Sequence, residues 1–266
     1  MPTARLGDRR AVPRSSLHFE LAVMGTVVTF DVFDDGGVPA VAVRRHLELA
    51  CSILQEVDRV FSLWRPMSPI NAFRRGEIDL KDLPEEVTDV LASCMIARTL
   101  SGGWFDPWAM PGGVDPTGYV KGWAAQRALG ALARSGVKSA IVNAAGDVAS
   151  IGDLGAGVPF RVGIADPSSP RALACVMELH GAVATSGTYE RGAHLIDPHT
   201  RRAGSRLASA SVCGPDLGLA DALATALCVG GDDVLERICD LEGYEALTVG
   251  LDGAMSATPR FPLTDL

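Results

Sequence analysis

The chain has 266 residues, 47% of them hydrophobic, and 24 Lys and Arg against 32 Asp and Glu give a formal net charge of −8. That length and apolar content exclude a disordered chain and allow a substantial buried core. The acidic balance offers no basic field to a general nucleic-acid binder, and no apolar run is long enough to span a bilayer.

Arg5, Arg9, Arg10 and Arg14 precede Leu17. Residues 1–16 read as a disordered leader, because Glu20 and Asp31 interrupt the uncharged apolar run that a signal peptide needs. Residues 17–33 read as β structure, with Met24-Gly25-Thr26 as a bulge or close backbone approach. From Pro39, apolar residues at helical spacing (Val43, Leu47, Ala50, Leu54, Val57, Phe61) predict a helix that stops before Pro66. Trp64 at its exit reads by default as core packing, with a ring free to stack on a ligand as the alternative.

Pro84-Glu85-Glu86 starts a second helix, since proline and acids suit the first turn. A Pro/Gly-rich loop follows Trp104, Phe105 and Asp106. A third helix then runs over residues 119–135, closed by Gly136. Lys121 is placed in the first turn of that helix. There a cation opposes the dipole unless an anion such as a phosphate is bound; a solvated surface lysine is the plain alternative. Residues 138–143, 160–165, 173–179, 207–212 and 245–251 read as strands. Residues 232–240 read as a short helix.

Residues 180–199, HGAVATSGTYERGAHLIDPH, alternate between short apolar runs and the breaks Thr185-Ser186-Gly187 and Asp197-Pro198. Strand ends of this kind are where loops place function. In the small-residue helix of residues 218–227, Asp221 and Thr225 stand one turn apart on one face. They could supply hard oxygens to Mg²⁺ or Ca²⁺. The plain reading is that Thr225 bonds back to the Asp221 carbonyl while Asp221 caps a turn. Cys51, Cys94, Cys175, Cys213, Cys228 and Cys239 form no CxxC and read as reduced core thiols of a cytoplasmic protein.

Five blocks stand in order: MGT at 24–26, FSLW and SPIN at 61–64 and 68–71, GGWFDP and VDPTGYVKG within 102–122, ATSGTYER and HLIDP within 184–198, and ADALATA at 220–226. Together they closely resemble the ApbE family of FAD:protein FMN transferases. The resemblance implies an α+β, T-fold-like unit of mixed sheets and packed helices, continuous over residues 17–266. It also implies FAD as substrate and Mg²⁺ as cofactor. The activity implied is transfer of FMN from FAD to a Thr or Ser hydroxyl in a motif of an acceptor protein, with release of AMP. It further leaves room for a homodimer.

Carried over residue by residue, Asp221 and Thr225 match side-chain metal ligands and Gly118 a backbone carbonyl ligand. Asp115 and Lys121 match FAD contacts, with Lys121 facing the pyrophosphate and supporting catalysis. Met24, Trp64, Trp104, Phe105, Asp106 and Ile196 match other flavin-site positions, and His194 matches the catalytic histidine, expected to act as base. The sequence departs from the family in reading DPTGYVKG where relatives read close to DLGGIAKG, and Ala145-Gly146-Asp147 in place of GGD. An FAD pyrophosphatase and a non-catalytic FAD-binding protein are the alternative functions.

Overall fold

The computed structural model describes residues 16–33, 38–188 and 195–264. The leader expected over residues 1–16 lies outside these up to residue 15, and Ser16 already belongs to the first strand. Thirteen described strands are β1 (Ser16–Val23), β2 (Thr26–Phe33), β3 (Ala140–Ala144), β4 (Asp147–Ile151), β5 (Phe160–Asp166), β6 (Ser169–Leu179), β7 (Ala182–Gly187), β8 (Ile196–Asp197), β9 (Arg202–Ala203), β10 (Leu207–Gly214), β11 (Glu245–Gly250), β12 (Met255–Ala257) and β13 (Leu263–Thr264). The described α-helices are α1 (Ala40–Phe61), α2 (Pro69–Arg74), α3 (Glu85–Leu100), α4 (Thr117–Arg134), α5 (Leu217–Gly230) and α6 (Asp232–Cys239).

Eight strands form one sheet in the order β1-β2-β3-β4-β7-β10-β11-β12. Every neighbouring pair is antiparallel. One face carries Phe30, Val142, Ala149, Ala184 and Val212 and packs against α1, α4 and α5. The other face carries Val148, Val183, Cys213 and Leu247, and is covered by Phe160, Met177 and Leu179 of a second sheet, β13-β6-β5. Strand alternation separates these two cores, because successive side chains point to opposite faces. Helices segregated from antiparallel sheets make an α+β fold in one continuous unit, as the sequence led us to expect.

Two tight hairpins lie side by side at one end of the sheet. Met24 and Gly25 join β1 to β2 with φ of 54° and 71°, and Ala145 and Gly146 join β3 to β4 with φ of 52° and 93°. Positive φ at both central residues is the type I′ pattern, whose twist matches the flanking strands. The expected bulge at Met24-Gly25-Thr26 is therefore a tight hairpin turn. Each turn places a non-glycine residue in the left-handed region, which costs free energy and marks functional sites more often than ordinary turns.

Close helix packing sets the opposite wall. A side chain at Gly122 would collide with the Leu217 carbonyl oxygen, and one at Gly218 would meet Tyr119 at 2.9 Å. Both positions must be small for α4 and α5 to cross this closely. Their crossing brings the start of α4 beside the middle of α5.

Candidate active site

A cleft of about 760 Å³ opens where the two hairpin tips, the α1 exit and the start of α4 meet. Its size falls within the roughly 300–1,000 Å³ of small-molecule and cofactor sites. Met24, Trp64 and Ile196 line it together with Trp104, Phe105 and Asp106. The same cleft is lined by Asp115, Gly118, Lys121, Asp221 and Thr225. All the site residues named from the sequence thus converge except His194, which lies outside the described residues. Leu195, which follows it directly, and Gly187, seven residues before it, do line the cleft.

Trp64 is 93% exposed, so the default of core packing is wrong for it. The loop that carries it is held from below. Asn71 Nδ2 donates to the carbonyls of Ser62, Leu63 and Arg65, at 3.3, 2.9 and 2.9 Å. Ser68 Oγ donates to the Ser62 carbonyl at 2.8 Å and caps α2 by accepting from the Asn71 amide. Arg65 pairs with Asp58 at 2.8 Å. The SPIN motif is therefore a clamp that fixes the loop, while the indole it presents stays in solvent.

Elsewhere in the cleft lining, Trp104 lies under the Arg206 guanidinium at 4.6 Å and meets the His199 ring edge-on at 4.4 Å. The indole is thus oriented by cation–π and aromatic contacts. His199 sits in a turn where its amide and that of Thr200 donate to Asp197 Oδ1. Burial pushes the Asp197 carboxyl upward, but these amides outweigh it and hold it below its ordinary value.

Asp106 and Asp115 are engaged locally. Asp106 Oδ1 accepts from the Trp108 amide at 3.0 Å and Oδ2 from Arg98 at 2.7 Å. Asp115 Oδ1 accepts from both the amide and hydroxyl of Thr117, at 3.0 and 2.6 Å. That aspartate supplies the cap for α4, because Pro116 stands at the N-cap without a side-chain bond. The Pro116-Thr117 departure is accommodated by this turn, and Gly118 remains in the first turn of the helix.

The polar centre lies between α4, α5 and the sheet. Asp221 is only 4% exposed. It does not cap α5; Asp216 does, with Oδ1 accepting from the Leu219 amide at 2.7 Å. Thr225 Oγ1 lies 3.1 Å from Ser186 Oγ of β7. A side chain at Gly118 would meet Thr225 Oγ1 at 3.7 Å and the Phe105 ring at 3.2 Å. The backbone at Gly118 is thus adjacent to the Asp221–Thr225 face. A carboxylate and a hydroxyl one turn apart on one helix face are oxygen donors of the kind hard cations prefer, so Asp221 and Thr225 fit Mg²⁺, with the Gly118 backbone beside Thr225. No group of three or more His, Cys, Asp and Glu that could hold a metal occurs among the described residues.

Lys121 is the fifth residue of α4, two residues deeper than expected, and it is no solvated surface lysine. Its Nζ contacts Asp147 Oδ2 and lies 3.7 Å from Asp221 Oδ2. Sequence reasoning gave Asp147 no role; it is fully buried at the first position of β4. A fully buried acid needs a partner, and the partner is Lys121. The available signal was an acid directly after a two-residue turn and before an apolar strand. Ser186 was missed similarly, because β7 continues through residues 185–187, where a break was expected, and period-2 alternation from Ala182 and Ala184 aims Ser186 at the helices.

The sequence pattern of the ApbE family matches residues 24–112 and 109–248. An FAD:protein FMN transferase of Rhodobacter capsulatus is 38% identical over 157 residues, covering 55% of this chain and 30% of that protein. The FAD:protein FMN transferase of Escherichia coli K12 is 30% identical over 151 residues, covering 53% and 43%. The matched region is thus under half the length of these curated relatives. Among solved structures, the flavin transferase ApbE from Vibrio cholerae aligns with a TM-score of 0.79 at 20% identity, over 92% of this chain and 97% of that one. The ApbE protein from Thermotoga maritima aligns with a TM-score of 0.82 at 21% identity, over 92% and 98%. At that identity the likeness speaks to the fold.

Proposed function

Because this chain belongs to the ApbE family, we propose that it is a Mg²⁺-dependent FAD:protein FMN transferase. In this reading the cleft binds FAD, and FMN passes to a Thr or Ser hydroxyl of an acceptor protein through a phosphoester while AMP leaves. The observation that carries the reading is the convergence of Asp221, Thr225, Gly118 and Lys121 in the lining of one cleft with Trp64, Trp104 and Phe105.

The roles follow from position. Trp64 and Trp104 both line the cleft; the solvent-exposed Trp64 would hold the flavin ring by stacking, while Trp104, engaged by Arg206 and His199, adds lining. Met24, Phe105 and Ile196 add apolar lining, while Asp106 and Asp115 shape the loop and the helix start that the dinucleotide meets. Asp221, Thr225 and the Gly118 carbonyl would hold Mg²⁺. Once bound there, the ion supplies charge neutralisation at the pyrophosphate. Lys121 adds a second positive centre, so that charge developing on the leaving phosphate meets preorganised cations.

The acceptor hydroxyl oxygen forms a new bond to the FMN phosphorus as the bond to the AMP oxygen breaks. Its proton passes to a base, and His194 is proposed for that role, with an ordinary pKa near ~6.5 suited to it. Little covalent chemistry falls to the protein, so positioning and electrostatics dominate.

A cytoplasmic location is part of the proposal. Six free thiols, five of them buried, suit a reducing compartment, and no described helix is long and apolar enough to cross a membrane. A homodimer is also proposed, to be checked by light scattering. The functional test is incubation with FAD, Mg²⁺ and an acceptor carrying a Thr or Ser motif. A covalently fluorescent acceptor band is expected. FAD cleavage without acceptor labelling would select a pyrophosphatase instead, and flavin binding without turnover a carrier.

A further inference from the structure

We propose that Asp147 is a positioning residue whose buried carboxylate holds the Lys121 ammonium away from Asp221, limiting competition between that ammonium and a divalent cation. The inference rests on the metal role proposed above for Asp221. Its basis is one cation shared by two carboxylates. Lys121 Nζ is in contact with Asp147 Oδ2 yet 3.7 Å from Asp221 Oδ2, and both carboxylates are nearly or fully buried.

The pairing is built in from the backbone up. Asp147 directly follows the Ala145-Gly146 turn, and its register opposite Ala144 fixes where its side chain leaves the sheet. Alternation along β4 puts Asp147 and Ala149 on the helix-covered face, while Val148 faces the second sheet. The other Asp147 oxygen, Oδ1, is buried without a hydrogen-bond partner among the described residues. Compensation of this buried charge therefore depends on the ammonium, because an uncompensated carboxylate is strongly disfavoured away from water.

Removing the charge at position 147 changes the balance. In Asp147→Asn the side chain keeps its shape but no longer attracts a cation electrostatically. Asp221 then becomes the nearer anionic partner for Lys121, and the ammonium shifts onto it. Any divalent cation must now displace that ammonium. Asp147 would thus set metal affinity without touching the metal, as residues that orient ligands commonly do.

The test uses the whole chain without FAD and reads Mn²⁺ binding by electron paramagnetic resonance, with circular dichroism melts as a check on folding. Asp147→Asn is expected to weaken Mn²⁺ binding by roughly 10–100-fold, the usual range for losing such a supporting group. The double variant Asp147→Asn with Lys121→Met is expected to regain the affinity, since no ammonium remains to compete. Lys121→Met alone leaves the buried Asp147 carboxylate without its cation. It is read only where its melt shows it folded, and it is then expected to bind Mn²⁺ more tightly than the unaltered chain. The double variant, which removes both buried charges, keeps the idea testable if Asp147→Asn does not fold. Equal Mn²⁺ affinity in Asp147→Asn and the unaltered chain overturns the inference, as does a loss that Lys121→Met fails to rescue, or no Mn²⁺ binding to the unaltered chain. FMN transfer is assayed on the same preparation. A chain that transfers FMN but shows the first two outcomes refutes only this inference, whereas a chain without transfer refutes the functional reading.

Discussion

The two faces of the large sheet were built from the same strands and do different work. The face toward the β13-β6-β5 sheet closes over Phe160, Met177, Leu179, Val183 and Phe261. The face toward the helices is equally apolar for most of its area, but at the hairpin end Asp147 and Ser186 point from the strands toward Lys121 and Thr225 of the helices. Buried polar groups cost stability unless they are paired, and here they gather where a cleft reaches them. One face therefore answers to volume alone, and the other to charge and geometry at one end.

The largest contrast is expected between the proposed catalytic end and everything else. His194→Ala is expected to lower kcat by ~10²–10⁴-fold, the usual worth of a positioned base, with an unchanged melting curve; retained turnover would remove the base role. On the apolar face, Met177→Ala should cost about 2–5 kcal/mol in denaturant unfolding, because Met177 is fully buried. Flavin affinity should survive that loss. If Met177→Ala abolished FAD binding while folded, the division between the faces would be wrong.

Gly122→Ala tests the helix crossing that joins the two halves of the site. The added methyl meets the Leu217 carbonyl oxygen, and overpacking of this kind costs about 1–3 kcal/mol. Stability and Mg²⁺ affinity should fall together, measured by thermal melt and calorimetric titration. A smaller effect is expected of Trp64→Ala. The side chain is almost wholly in solvent, so stability should not change, while loss of stacking should weaken FAD binding by ~0.5–1.5 kcal/mol, read by quenching of flavin fluorescence.

A further effect is general and confined to alkaline pH. Burial pushes the thiols of Cys94 and Cys213 up from an ordinary 9.0 to about 12 and about 11. Their folded values are raised, so their contribution to stability is complete below about pH 9 and is lost as pH climbs through 11 to 12. Melting temperatures should hold to pH 9 and decline above it. In the folded chain near pH 8, a thiol reagent should react fast with the exposed Cys239 and slowly with the five buried cysteines.

Much of the architecture was readable because hydrophobic period and turn residues carry it. The spacing of Val43, Leu47, Leu54 and Phe61 located α1, and five ordered blocks drew eleven described residues to one cleft. What failed had local physical causes. Met24-Gly25 looked like an interruption because a left-handed methionine is uncommon, and only pairing of β1 with β2 shows that the chain reverses there. Trp64 reads as core on hydrophobicity, yet its place outside depends on the carbonyl clamp made by Asn71, a contact across the turn. Asp221 reads as a cap until Asp216 is seen to fill that position. Asp147 was noted only within Ala145-Gly146-Asp147 and given no role, because its importance lies in a partner 26 residues away, Lys121.

The central claim is that the hairpin end of the helix-covered face is a site for transfer, with a hydroxyl and not water taking the FMN phosphate. The most direct measurement is the ratio of AMP released to acceptor flavinylated, by chromatography and intact-protein mass spectrometry on one reaction with FAD and Mg²⁺. Transfer predicts equal amounts of the two, and neither product when the acceptor Thr or Ser is replaced by Ala. AMP formed in excess, or unchanged by that replacement, would contradict it.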